Sequence, residues 1–148
     1  MKILKVCLGN ICRSPLAEGI ARQLATQRGL DWDFDSAGTA GWHEGSPPDA
    51  RSTQAARHRE IDISNQTARK ISQKDIMESD LIIAMDAQNL RDLRAVQPAG
   101  SSAKLAKLMD YAPELGISDV PDPYYEDNFP EVLDMIETAC LGLREALS

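Results

Sequence analysis

Three cysteines and two histidines are all that 148 residues offer of the softer metal-binding side chains. Cys7 and Cys12 have four residues between them and no second pair to complete a zinc site, so no metal is expected. A sparse, odd cysteine count also excludes a disulfide framework and fits reduced thiols in a cytoplasmic setting. Long hydrophobic runs are missing as well. The longest purely apolar stretch, Leu81 to Met85, is too short for a membrane span or a secretory signal core, so no membrane partner is expected. Basic residues do not cluster: sixteen Lys and Arg are scattered through a chain of net charge −7, which argues against nucleic acid as a partner. Low-complexity tracts, like-charge blocks and internal repeats are absent, which excludes disorder and repeat arrays.

What is present is an ordinary globular balance over one expected domain, residues 1–148. Short apolar runs alternate with longer amphipathic ones. Ile3 to Leu8 reads as a buried strand, and Pro15 to Thr26 as a helix with Leu16, Ile20 and Leu24 on one face. Trp32 and Phe34 alternate with Asp31, Asp33 and Asp35 in a strand ending at Ser36-Ala37-Gly38. Pro47 and Pro48 introduce a helix over Asp49 to Arg59, and Ser72-Gln73-Lys74-Asp75 has the form of a capping box. Leu81 to Met85 reads as a fully buried strand, Ala87 to Ala95 as a helix, and Lys104 to Met109 as a weaker strand. Val132, Leu133, Ile136, Cys140, Leu143 and Leu147 form an apolar stripe at helical spacing. Strands separated by helices predict an α/β fold: a parallel sheet covered on both faces, with its site beyond the carboxyl ends of the strands.

The stretch "VCLGNICRSPLAEG", residues 6 to 19, occupies that position after the first strand. Gly9 adopts positive φ freely and Asn10 tolerates it, so Leu8, Gly9, Asn10 and Ile11 can curl with their N–H groups turned inward as an anion nest. Ser14-Pro15 reads as the N-cap and first residue of a helix whose free N–H groups point at the same spot. Arg13 adds a planar fork of donors suited to two phosphate oxygens. Within such a cradle Cys7 is favoured as the thiolate, and a phosphorus bound there would face a nucleophilic sulfur. The competing reading is a structural loop. With three Cys and ten Arg in the chain, the Cys-x5-Arg spacing alone would arise by chance roughly one time in five.

Nucleophilic displacement at phosphorus also requires a proton donor for the departing oxygen. The stretch "VPDPYYEDNFP" places Asp122 between two prolines that restrict it, beside Tyr124 and Tyr125, which could wall a cleft for an aryl group. An ordinary Asp-Pro turn is the alternative.

Together these two stretches resemble the low-molecular-weight protein tyrosine phosphatases. "VCLGNICRSPLAEG" is similar to that family's phosphate-binding loop and first helix, and "DPYY" to its general-acid loop. "DSAGT" at 35 to 39 and "MDAQNLRDL" at 85 to 93 add to the likeness, which spans essentially the whole chain. The resemblance implies a single three-layer domain with a four-stranded parallel sheet and a phosphotyrosine-containing protein as substrate. No cofactor is implied, and a monomer or weak dimer is expected. Cys7 would be the nucleophile, Arg13 the phosphate clamp and Asp122 the acid, later the base that activates water. Asn10 would hold the loop in its turn and Ser14 would hydrogen-bond the Cys7 sulfur. Cys12 would trap the oxidised nucleophile as a disulfide, with Ser36 and Asp86 behind the loop. Trp42 falls where members carry an aromatic wall, with simple packing as its alternative. Many members have a histidine bonded to the loop asparagine where this chain has Gln66. Two other functions compete: a thioredoxin-linked arsenate reductase, which needs further relay cysteines where only Cys140 is left, and a non-catalytic phosphotyrosine-binding module.

Overall fold

The computed structural model describes residues 1–147. At its centre lies β1 (Lys2–Cys7), a run with no glycine or proline to break it. Its side chains alternate: Ile3 and Cys7 enter one core, Leu4 and Val6 the other. β2 (Asp33–Gly38) pairs along one side of β1 and β3 (Leu81–Ala84) along the other, so that Leu4 faces Asp35 and Ile82. β4 (Lys104–Lys107) extends the sheet beyond β3, and every pairing is parallel, in the order β2-β1-β3-β4.

Parallel neighbours require crossovers. α1 (Arg13–Gln27) joins β1 to β2; α2 (Ala50–Arg57) and α3 (Gln73–Glu78) lie between β2 and β3; α4 (Ala87–Val96) precedes β4. The one-turn α5 (Pro123–Glu126) and the long α6 (Phe129–Leu147) complete the chain. Leu16, Ile20, Leu133 and Ile136 of α1 and α6 pack with Ile3 and Ile83 on one face of the sheet. Ile76 and Leu93 of α3 and α4 pack with Leu4, Val6 and Ile82 on the other. The expected α/β sheet with helices on both faces is the observed one. Because the chain leaves β1 toward β2 and returns on the opposite side as β3, a crevice opens beyond the carboxyl ends of β1 and β3. Among the described residues no helix is long and apolar enough to cross a membrane, and no group of His, Cys, Asp and Glu is placed to hold a metal ion.

Several boundaries differ from the sequence reading, each for a local reason. β1 stops at Cys7 rather than Leu8, because the carbonyls of Cys7 and Leu8 turn to accept from Thr39 and Ala40 at 2.9 and 3.0 Å. α1 begins at Arg13 with Cys12 as its N-cap, not at Pro15 with Ser14 as cap; the first helical bond runs from Leu16 N–H to Cys12 O. α2 ends at Arg57 because Glu60 turns left-handed (φ 63°) and Ile61 N–H returns to Ala56 O, burying Ile61. β4 stops at Lys107, and Leu108–Tyr111 coils as a 3-10 turn closed by Asp110 accepting from Lys107 N–H. The capping box forms as read, with Ser72 and Asp75 exchanging hydrogen bonds at the start of α3.

Candidate active site

Between β1 and α1 the chain wraps back on Cys7. Asn10 makes the turn in the left-handed region (φ 57°), while Gly9 keeps negative φ and so does not supply the expected positive one. Gly9 is constrained by space instead: a Cβ there would lie 3.0 Å from His43 Cδ2. Gly38 is more tightly confined, since a Cβ would come within 2.8 Å of the backbone oxygen of Leu8 and 2.9 Å of that of Ala40. The Asn10 N–H donates to Cys7 Sγ at 3.3 Å.

The Asn10 side chain organises what lies behind the loop. Its Oδ1 accepts from Arg69 N–H at 3.0 Å, and its Nδ2 donates to Ser14 Oγ at 2.8 Å and Ser36 Oγ at 2.9 Å. Ser14, the second residue of α1, stands 3.1 Å from Cys7 Sγ. Gln66, which stands where many members have a histidine, makes no direct hydrogen bond to Asn10. It accepts from Ser36 Oγ at 3.5 Å and donates to Pro15 O at 3.1 Å, so its link to the loop passes through Ser36.

Arg13 is buried, with Nη1 donating to Asp86 Oδ2 at 2.7 Å and to Val120 O at 2.9 Å. Asp86 stands at the end of β3 and also caps α4, accepting from Asn89 N–H at 2.7 Å. Nη2 of Arg13 lies 3.7 Å from Asp122 Oδ2. Burial works against the guanidinium charge, but Cys7, Asp86 and Asp122 outweigh it and hold the pKa above its ordinary value. Asp122 caps α5, accepting from Tyr124 N–H at 3.0 Å. It faces the cradle although it lies near the opposite end of the chain.

Cys7, Leu8, Gly9, Ile11, Cys12 and Arg13 form the floor of a cavity of about 40 Å³, with Asp122, Trp42, His43, Tyr124 and Tyr125 around its mouth. By a measure in which one water needs ~10–15 Å³, this is room for a compact group of a few heavy atoms such as a phosphoryl. Trp42 is exposed, as is Tyr125, whose ring meets Tyr124 edge-on at 5.1 Å. A planar ring entering over the cradle would pass between these aromatics.

The three thiols are free. Burial pushes Cys12 up to about 12 and Cys140, inside the α6 core, up to about 11, so both stay protonated at neutral pH. The sequence reading does not single out His43, Arg69 or Val120 O. His43 reaches the site from the loop after β2 and Arg69 from the segment before α3, with no local motif to mark either. A protected sulfur beside a fixed cation, N–H groups and a carboxylic acid can hold a tetrahedral anion, attack it and hand a proton to its leaving group.

Known proteins resemble this chain in sequence and fold. The sequence model for the low molecular weight phosphotyrosine protein phosphatases matches residues 2–148. A Bacillus subtilis protein, the low molecular weight protein-tyrosine-phosphatase YfkJ, is 44% identical over 142 residues, covering 95% of this chain and 91% of its own length. Its crystal structure gives a TM-score of 0.94 at 42% identity, over 99% of this chain and 94% of that one. The human low molecular weight phosphotyrosine protein phosphatase is 38% identical over 149 residues, 97% of this chain and 93% of its own. The structure of DARP, a Drosophila arginine phosphatase, also gives a TM-score of 0.94, at 33% identity over 100% of this chain and 98% of that one.

Proposed function

Since this chain belongs to the low molecular weight phosphotyrosine protein phosphatase family, we propose that it hydrolyses phosphotyrosine in proteins, and aryl phosphates generally, through a cysteinyl-phosphate on Cys7. The observation that carries the reading is the meeting of Cys7 Sγ, the buried Arg13 fork and Asp122 at one small cavity.

In the first step the Cys7 thiolate attacks phosphorus and the aryl P–O bond breaks, while Asp122 passes its proton to the departing phenolate oxygen. Arg13, oriented by Asp86 and Val120 O, and the loop N–H groups other than that of Asn10, which faces the sulfur, hold the equatorial oxygens. In the second step Asp122, now a carboxylate, takes a proton from the attacking water. The S–P bond breaks, and the sulfur leaves as a thiolate that accepts from Ser14 and the Asn10 N–H. Trp42, Tyr124 and Tyr125 at the mouth favour a flat aromatic group. The buried Cys140 speaks against a reductase relay. Sparse, free thiols support a reducing, cytoplasmic setting.

Cys12 lines the same cavity as Cys7 and is its partner under oxidation. Peroxide converts the Cys7 thiolate to a sulfenic acid, and condensation with the Cys12 thiol forms the S–S bond with release of water.

The test is turnover of a phosphotyrosine peptide and of 4-nitrophenyl phosphate, with quenched mass spectrometry of the Cys7 peptide. A phosphoryl adduct on Cys7, and loss of several orders of magnitude in Cys7→Ser, are expected. Activity of Cys7→Ser within about tenfold of wild type would sink the mechanism. A phosphoarginine peptide in the same assay separates aryl from guanidino substrates, with the phosphotyrosine peptide expected to be the faster.

A further inference from the structure

Arg51, the second residue of α2, commits its guanidinium in two directions. Toward the cradle it grips Asp49, the cap of its own helix, with Nε 3.1 Å from Oδ1 and Nη2 3.2 Å from Oδ2. Asp49 in turn donates its backbone N–H to Ile11 O, in the cradle itself, at 2.8 Å. Toward the acid loop, Nη2 donates to Tyr124 O at 3.2 Å and Nη1 to Asp127 Oδ1 at 3.4 Å. The guanidinium carbon also lies 5.5 Å from the centre of the Tyr124 ring and 5.0 Å from that of Phe129.

The acid loop needs such a tie. α5 is a single turn, too short to hold itself, and it ends at Asp127 in the left-handed region (φ 54°). Before Asp122 the chain is pinned at Val120, whose N–H donates to Met85 O and whose carbonyl accepts from Arg13, both at 2.9 Å. After Asp122, the hydrogen bonds that join Tyr124 and Asp127 to the far side of the cleft come from Arg51. A planar fork of donors that also stacks on rings can bridge these groups at once, whereas a lysine ammonium presents one point charge.

Resting on the phosphatase reading, we infer that Arg51 is a positioning residue. It ties the loop bearing Asp122 to the cradle bearing Cys7 and so sets how closely Asp122 approaches the leaving-group oxygen. It is not among the residues that line the cavity; its effect runs entirely through Asp122. Its side chain is 40% exposed, and exposed ion pairs add little to stability, so its loss alters loop placement rather than the fold.

Arg51→Met and Arg51→Lys are compared with wild type by kcat/KM on phosphotyrosine and on 4-nitrophenyl phosphate, and again in an Asp122→Ala background. Tyrosine is the poorer leaving group and depends more on the donated proton. Arg51→Met should lose about tenfold more on phosphotyrosine than on the nitrophenyl ester. Lysine should recover only part of that loss, and neither substitution should cost anything further once Asp122 is gone. Equal losses on the two esters, full recovery by lysine, or an undiminished loss without Asp122 would each overturn the assignment. A wild-type protein inactive on both esters would overturn the phosphatase reading itself, and the role of Arg51 with it.

Discussion

The Ser14 hydroxyl stands 3.1 Å from the Cys7 sulfur, and toward a thiolate it can only donate. Asn10 leaves its hydrogen free to do so. With its Oδ1 occupied by Arg69 N–H, its amide nitrogen must face Ser14 and Ser36, so Ser14 Oγ accepts and its own hydrogen is free for the sulfur. A hydroxyl so held stabilises negative charge on sulfur without turning at the moment of reaction.

Ser14→Ala therefore removes a charge-assisted donor to the thiolate that leaves when the cysteinyl-phosphate is hydrolysed. The breakdown step should slow by about tenfold or more. Quenched-flow measurement of phosphoenzyme should find more of it at steady state in the variant. An unchanged breakdown rate would mean that Ser14 only supports the loop.

For Asp122→Ala, loss of the proposed proton donor should slow phosphotyrosine cleavage by about 10²–10⁴-fold. The phosphorylation step on 4-nitrophenyl phosphate should suffer less, because its leaving group needs less protonation. Equal losses in that step on both substrates would reduce Asp122 to its role as the cap of α5.

Peroxide treatment separates the two cavity thiols. Burial keeps Cys12 protonated, so oxidation begins at Cys7, and wild type should lose the mass of a hydrogen pair and regain activity with dithiothreitol. Cys12→Ser should gain oxygen and stay inactive. Equal recovery of both proteins would remove Cys12 from the guarding role.

Lys5 is fully buried on β1, its ammonium 4.7 Å from the centre of the Phe34 ring and without a hydrogen-bond partner. Burial lowers its pKa from 10.5 to about 8, against the raising influence of Cys140 and Glu18. Between these two values the unfolded chain binds the extra proton, so this residue's contribution to stability rises with pH across that window. Lys5→Met lacks the titration, whereas the buried thiols of Cys12 and Cys140 are common to both proteins. Denaturant melts at pH 7 and above pH 10 should show wild type gaining on the variant by roughly 3 kcal/mol. A gap independent of pH would mean that Lys5 keeps its ordinary pKa in the folded state.

The residues of the proposed anion cradle were legible because they are contiguous. From Cys7 to Ser14 the chain leaves a buried strand, turns at Asn10 and enters a helix, and covalent connection alone keeps the thiol, the N–H groups and the guanidinium close together. Hydrophobic pattern likewise marked the strands: β1 and β3 are buried on both faces and read as apolar runs, whereas β2 alternates with polar residues and the edge strand β4, with no fully buried residue, reads weakly. Local pattern misread which residue capped α1: Ser14 looks like a cap, but its hydroxyl is drawn to the nearby sulfur and Asn10 instead. The meeting of Asp122 with Arg13 was the decision of tertiary structure. It depends on β3 lying beside β1, which brings Met85 and Asp86 to the crevice and lets Val120 dock there. Arg51 between the two loops and Gln66 behind Ser36 follow from the same assembly. Side-chain periodicity states which face of a strand is buried but not which strand becomes its neighbour, so contacts between distant segments emerge only when the sheet is assembled.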